Sequence, residues 1–178
     1  HIDEALNETD RLTHLTEQLL RLARAEGAVL EKENIDVSEI VRDRAQEWQY
    51  LADERDVEII VQVPDNLMVD VNQLAVREII DNYMDNALEV APPKSQITLT
   101  VLVLADVVEI VVSDSGRGMS PQQRERAFDR FWRANVDSNR RTGSGLGLAI
   151  VAQLAQAGSM QVALRQSAQG GIDAVIDI

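Results

Sequence analysis

The sequence predicts an α+β domain: a mixed β-sheet covered on one face by helices and preceded by one long helix. Three observations predict it. Apolar residues recur at helical spacing in four separate stretches. Between and after those stretches lie short runs with the alternation or the β-branched richness of strands, two of them joined only by Ala105-Asp106. Five of the nine glycines fall within residues 113–150, where they punctuate the strand–helix pattern. A chain of 178 residues, 45% hydrophobic, has enough apolar material for a core; with only 3% aromatics, Leu, Ile, Val and Ala must build it.

Residues 2–26 read as one amphipathic helix. Ile2, Ala5, Thr9, Leu12, Thr16, Leu19 and Ala23 keep a heptad spacing that Leu6, Leu15, Leu20 and Leu22 broaden. Such a stripe needs a partner, either a helix of another subunit or of an upstream segment, or the face of its own domain. Gly27 opens a connector through Asn34. Ser38 and Glu39 start a helix running to Glu54, with Ile40, Val41, Ala45, Trp48 and Leu51 on its apolar side. Val57 to Val63 alternates as a strand and stops at Pro64-Asp65-Asn66, and Leu67-Met68-Val69 is a short extended piece. The next helix, Val71 to Val90, turns Leu74, Ile79, Ile80, Tyr83, Met84, Ala87 and Leu88 to a core. Two strands follow, Ile97 to Leu104 and Val107 to Ser113, then a short helix from Pro121 to Phe128. Arg133 to Thr142 has few apolar anchors and reads as a loop. Gly145 to Ala157 is helical, and Met160 to Arg165 and Ile172 to Ile178 close the domain around Gln169-Gly170-Gly171.

Composition excludes several classes of function. The absence of cysteine removes disulfide frameworks and zinc–thiolate sites, and it fits a reducing, cytoplasmic setting. No apolar run approaches the length of a membrane span, and a start without Met reads as a piece of something longer. A net charge of −13 argues against a nucleic-acid partner. Yet between Arg117 and Arg141 seven arginines face three acids, a local balance of +4. An acidic chain that gathers arginine around glycine is suited to a small polyanion, although a solvated basic loop has the same composition.

Two stretches carry chemistry. Glu78, Asn82 and Asn86 fall at i, i+4 and i+8, one row along a helix, and Asn is a poor helix former that needs a reason to be there. Its amide oxygen is a hard ligand suited to Mg²⁺ beside phosphate oxygens, though it also serves to satisfy a buried carbonyl. The second stretch has Asp114-Ser115-Gly116-Arg117-Gly118 after an apolar strand and Gly143-Ser144-Gly145-Leu146-Gly147-Leu148 opening a helix. Glycines at a helix start let several unpaired N–H groups and the positive end of the macrodipole meet an anion. Together they predict a phosphate-bearing ligand between two glycine elements. There is neither a P-loop Gly-Lys-Ser/Thr nor a GxGxxG spacing.

These motifs together resemble the catalytic and ATP-binding domain of bacterial sensor histidine kinases, within the gyrase, chaperone, kinase and MutL ATPase superfamily. Asp81-Asn82-Tyr83-Met84-Asp85-Asn86-Ala87 is similar to the N box, Asp114 to Gly118 to the first glycine box, Phe128-Asp129-Arg130-Phe131 to the F box, and Gly143 to Leu148 to the second glycine box. Asp10-Arg11-Leu12 and Leu19-Leu20-Arg21-Leu22-Ala23-Arg24 resemble the second helix of the dimerisation and phosphotransfer hairpin. The resemblance implies a Bergerat-type fold over residues 37–178, a linker over 28–36 and half a hairpin over 1–27. It implies Asn82 and Asn86 as the catalytic pair, with Asn86 the Mg²⁺ ligand, and Asp114 as acceptor for the adenine amino group. Gly116 and Gly118 would pass close to the base, and Gly143, Gly145 and Gly147 would bring N–H groups to the phosphates of ATP. Met119, Phe131, Ser144, Leu146 and Leu148 would complete the nucleotide site, and residues 119–142 would form the ATP lid.

The implied reaction moves the γ-phosphoryl group to a histidine and then to a response-regulator aspartate, in a homodimer whose full-length form sits in the bacterial cell membrane. Superfamily members that hydrolyse ATP carry a water-activating Glu where this chain has Asn82. Neither His1 nor His14 stands in the phosphoacceptor motif, so the acceptor is expected on an upstream hairpin helix and the fragment alone is not self-phosphorylating. Glu89 and Val90 stand where the family carries a Lys and an aromatic, and they leave open a second reading, a non-catalytic nucleotide-binding or docking module of the same fold.

Overall fold

A computed structural model describes Thr16, residues 29–134 and residues 144–178. The helix expected over residues 2–26, apart from Thr16, lies outside the described residues, as do both histidines, Gly143, Arg140 and Arg141.

The chain opens with β1 (Glu33–Asp36) and enters α1 (Val37–Glu54) where the Asp36 carboxylate accepts the Ser38 N–H at 2.9 Å, a side-chain cap. A turn at Asp56 leads to β2 (Val57–Gln62), then β3 (Met68–Val71). α2 (Gln73–Val90) starts two residues later than the periodicity suggests, because Asn72 caps it by accepting the Ala75 N–H at 2.9 Å while Val71 belongs to β3. β4 (Ser95–Leu104) and β5 (Val107–Ser113) form a hairpin in which Ala105 adopts the left-handed φ of 52° that a two-residue turn demands. α3 (Pro121–Arg126) carries a capping box of Ser120 and Gln123. α4 (Gly147–Ala157), β6 (Gln161–Gln166) and β7 (Ile172–Asp177) complete the domain.

The sheet order is β2-β4-β5-β7-β6, mixed as expected: β2 runs parallel to β4 across the α2 crossover, and the other pairs are antiparallel. Alternate residues Ile97, Leu99 and Val101, Ile110 and Val112, and Ala174 and Ile176 bury against Ile79, Ile80, Met84, Ile150, Val151 and Leu154 of the helices. The intervening residues, among them Thr100, Glu109, Ser113 and Asp173, face away from the helices, where Arg165 reaches Glu109 at 2.7 Å. One departure concerns the connector. Glu33 and Asn34, expected in it, pair with Val71 and Asp70 in a separate two-stranded sheet of β1 and β3. The partner makes this strand: Asn34 donates to Asp70 at 2.8 Å, and Asp36 also accepts the Leu67 N–H at 3.1 Å.

α2 is tied on both sides. Tyr83 donates its buried hydroxyl to the Val175 carbonyl at 3.1 Å. Asp81 accepts from the Trp48 indole at 2.8 Å and pairs with Arg44, a guanidinium only 8% exposed, at 3.2 Å. Removing the carboxylate would leave the Trp48 indole N–H without its acceptor and Arg44 with Glu47 alone in a part-buried seam. Asp81→Ala is therefore expected to lower the unfolding free energy by about 1–3 kcal/mol. Chemical denaturation should show a lower midpoint at unchanged slope; a midpoint equal to wild type would overturn this role for Asp81.

Candidate functional site

α2 does two jobs at once. Its buried side fills the core, and the next strip round the helix, with Asn82, Asn86, Glu89 and Val90, forms one wall of a cavity of about 220 Å³. Room of that size holds on the order of fifteen waters, or much of a nucleotide. The floor is apolar, made by Val112 of β5, Leu164 of β6, and Ile172 and Ala174 of β7. Gly118 and Met119 bound it on one side, Trp132 and Arg133 on another, and the start of α4 closes the end.

At that end the groups suit an anion and a cation together. α4 has no side-chain cap, so the N–H groups of its first turn, next to Ser144, Gly145 and Gly147 on the cavity wall, carry the positive end of the helix dipole into it. Asn82 donates to the Glu78 carbonyl at 2.7 Å, and its Oδ1 lies 3.0 Å from where a Cβ on Gly147 would stand. The amide of Asn86 has a buried Nδ2 with no hydrogen-bond partner among the described residues. A buried polar group left in that state costs free energy until something fills its place. No cluster of three His, Cys, Asp or Glu residues suited to a metal occurs among the described residues. A cation here would depend on Asn86 together with oxygens brought by the ligand.

The opposite end centres on Asp114, only 7% exposed, whose carboxylate accepts the Gly116 N–H at 2.7 Å. Burial pushes this carboxyl above its ordinary range, backbone hydrogen bonds from Gly116 and Ile172 oppose the rise, and the charge of Asp173 adds to it. Gly171 passes so close that a Cβ there would lie 2.1 Å from the Asp114 carbonyl oxygen. Gly118 takes a left-handed φ of 69° against the β6–β7 turn. Arg124 fixes the neighbouring chain by donating to the Met119 carbonyl at 2.6 Å and to Gln166 at 3.2 Å.

Of the residues that the motifs single out, Asn82, Asn86, Asp114, Gly118, Met119, Ser144, Gly145, Gly147 and Leu148 converge on this cavity. Three do not line it. Gly116 stands behind Asp114, where a Cβ would meet Val90 at 2.7 Å. Leu146 is fully buried in the core and serves the site only through the helix it anchors. Phe131 is 64% exposed, turned outward by a left-handed φ of 62°. Its neighbour Trp132 takes the place on the wall that the F box suggests for Phe131. The helix expected from Gly145 begins at Gly147, because the φ of 71° at Gly145 is incompatible with a right-handed turn. The floor residues and Trp132 are absent from the sequence reading: nothing separates Val112, Ile172 or Ala174 from other inward strand positions.

Residues 71–177 match the family of Histidine kinase-, DNA gyrase B-, and HSP90-like ATPases. The swarming motility regulation sensor protein RssA of Serratia marcescens is 37% identical over 174 residues, 95% of this chain and 36% of the relative. The sensor-like histidine kinase SenX3 of Mycobacterium tuberculosis is 33% identical over 156 residues, 86% of this chain and 38% of the relative. Among solved structures, full-length ShkA in complex with AMPPNP superposes with a TM-score of 0.80 at 27% identity, over 98% of this chain and 37% of that one. The chain spans little more than a third of the length of these proteins.

The raised carboxyl of Asp114 has a consequence for stability. Between its ordinary value near 4 and its raised value in the fold, the folded chain holds a proton that the unfolded chain releases. This group's contribution therefore falls as pH rises through that interval and levels off above it. Asp114→Asn should lose that slope, so its stability relative to wild type should grow from acid to neutral pH. Denaturation midpoints of both proteins at stepped pH check this; a difference independent of pH would refute it.

Proposed function

The chain belongs to the Histidine kinase-, DNA gyrase B-, and HSP90-like ATPase family, and on that premise we propose that it is the ATP-binding catalytic domain of a sensor histidine kinase. The observation that carries the reading is the uncapped α4 N-terminus and the unpartnered Nδ2 donor of Asn86 on the wall of a cavity that buried Asp114 also lines. The names of RssA and SenX3 support a sensor kinase, and the AMPPNP complex of ShkA supports ATP as the ligand. The acceptor is a histidine on the upstream hairpin, of which residues 1–27 would supply the second helix. The next recipient is a response-regulator aspartate, and the whole protein is a membrane-bound homodimer. No described helix is long and apolar enough to cross a membrane.

In this reading Asp114 accepts the adenine amino group, which favours adenine over guanine because guanine presents an acceptor at that edge. The apolar floor takes the base, and Gly118 lets the loop approach it. Ser144, Gly145, Gly147 and Leu148 turn N–H groups and the α4 dipole toward the phosphates, holding their charge without a proton transfer. Asn86 fits Mg²⁺: it offers one hard oxygen, and the phosphates and water supply the rest. The ion, when bound, neutralises charge developing on the transferred phosphoryl group. Asn82 holds its amide against Glu78 and Gly147 and has no basic lone pair with which to activate water. That chemistry favours transfer to a positioned histidine over hydrolysis.

Calorimetric titration with ATP, with and without Mg²⁺, tests the proposal. Binding is expected to require Mg²⁺, and Asn86→Ala should abolish that requirement along with most of the affinity. Asp114→Asn turns a donor toward the adenine amino group, and the resulting mismatch should weaken binding roughly 5- to 150-fold. No binding by wild type at millimolar nucleotide would sink the reading.

Glu89 gives a separate expectation. It lines the cavity as an exposed negative charge, at the position where the family resemblance implies a Lys. Glu89→Lys should tighten ATP several-fold at low salt, with the gain shrinking as ionic strength rises. An unchanged affinity across the salt series would show that Glu89 does not feel the phosphates.

A further inference from the structure

The chain has two tryptophans, and they are used differently. Trp48 packs against the hydrophobic core and donates its indole N–H to Asp81. Trp132 joins neither the core cluster nor any hydrogen bond of its side chain among the described residues, yet it stands half-buried on the cavity wall. An indole is a large apolar surface, and leaving its face toward an open cavity forgoes burial that the fold would otherwise gain.

The backbone holds it there at a cost. Phe131 adopts a φ of 62°, an outlier for a bulky side chain, and donates its N–H to the Gly145 carbonyl at 2.9 Å. Gly145 is itself left-handed, and a Cβ on it would lie 3.0 Å from the Trp132 carbonyl oxygen. Backbone strain of this kind persists where surrounding contacts enforce it, and it concentrates at functional sites. Its result here is that Phe131 faces solvent and Trp132 faces the cavity.

Nothing else on the described walls offers an aromatic face. Tyr83 touches the cavity, but its ring is 2% exposed and its hydroxyl is spent on Val175. Val90, at the end of α2, is small and aliphatic. We propose that Trp132 is the aromatic contact for the bound nucleotide, packing its indole on the ligand from the wall beside Gly145. The proposal rests on the nucleotide-binding reading of the cavity and names a residue that adds to its affinity.

The test combines affinity and emission. ADP with Mg²⁺ is titrated by calorimetry into wild type, Trp132→Leu and Trp132→Phe, with thermal melts of each. The intrinsic fluorescence of Trp48→Phe, in which Trp132 is the sole tryptophan, is followed in parallel. Trp132→Leu should lose about tenfold in ADP affinity at an unchanged melting temperature, and Trp132→Phe should recover most of it. Saturating ADP should alter the emission of Trp132. If wild type binds ADP, but Trp132→Leu binds it equally well or the emission stays constant, the proposal fails while the nucleotide reading stands. If Trp132→Phe is as weak as Trp132→Leu, an aromatic contact is likewise overturned. Absence of ADP binding by wild type would remove both.

Discussion

The approach of Gly147 to Asn82 is the constraint on which the site depends. Asn82 Oδ1 would lie 3.0 Å from a Cβ on Gly147, tighter than most Cβ contacts, so α4 enters close against α2. That proximity places the uncapped first turn of α4 beside the amide row of α2, and a phosphate-sized group can then touch both. The geometry is held from behind. Tyr83, one position after Asn82, is tied to β7, and Asp81, one position before, is tied to α1. Three successive residues of one helix thus face the neighbouring helix, the cavity and the sheet in turn.

Asp114 illustrates the opposite economy. The fold keeps a carboxylate in a place that penalises its charge, and Gly171 leaves no space for it to withdraw. Two backbone N–H groups soften the penalty without removing it. A stability-driven sequence would place a neutral side chain there, so the acid is retained for the ligand it can accept from, a trade of stability against recognition of the kind binding sites show.

Much of this was legible in the sequence, for identifiable reasons. The strands β4, β5 and β7 and the helix α2 announce themselves because one face of each is buried and periodicity records that face. The row of Asn82 and Asn86 is visible because Asn is out of place in an apolar helix, and the two glycine boxes because glycine clusters need a backbone reason. β1 was not legible: four residues with one apolar side chain, Glu33 to Asp36, become a strand only because β3 pairs with them. Nor was the exchange of Phe131 for Trp132, since it turns on one left-handed φ at a residue type that rarely adopts it. The apolar floor escaped because Val112, Ile172 and Ala174 obey the same alternation as the core and differ only in what lies above them.

The wall that carries Trp132 is pinned at both described ends by polar contacts, with Phe128 packed against the core between them. At the near end Arg124 reaches back to Met119 and across to Gln166, which donates in turn to the carbonyls of Gly170 and Gly171. At the far end the clasp of Phe131 on Gly145 joins the wall to the start of α4. Polar contacts of this sort, several of them solvent-exposed, open locally at a lower cost than the core they border. A ligand that touches Trp132, Gly145 and Gly118 bridges both pins. Binding there would add contacts across a wall whose ends these polar bonds hold.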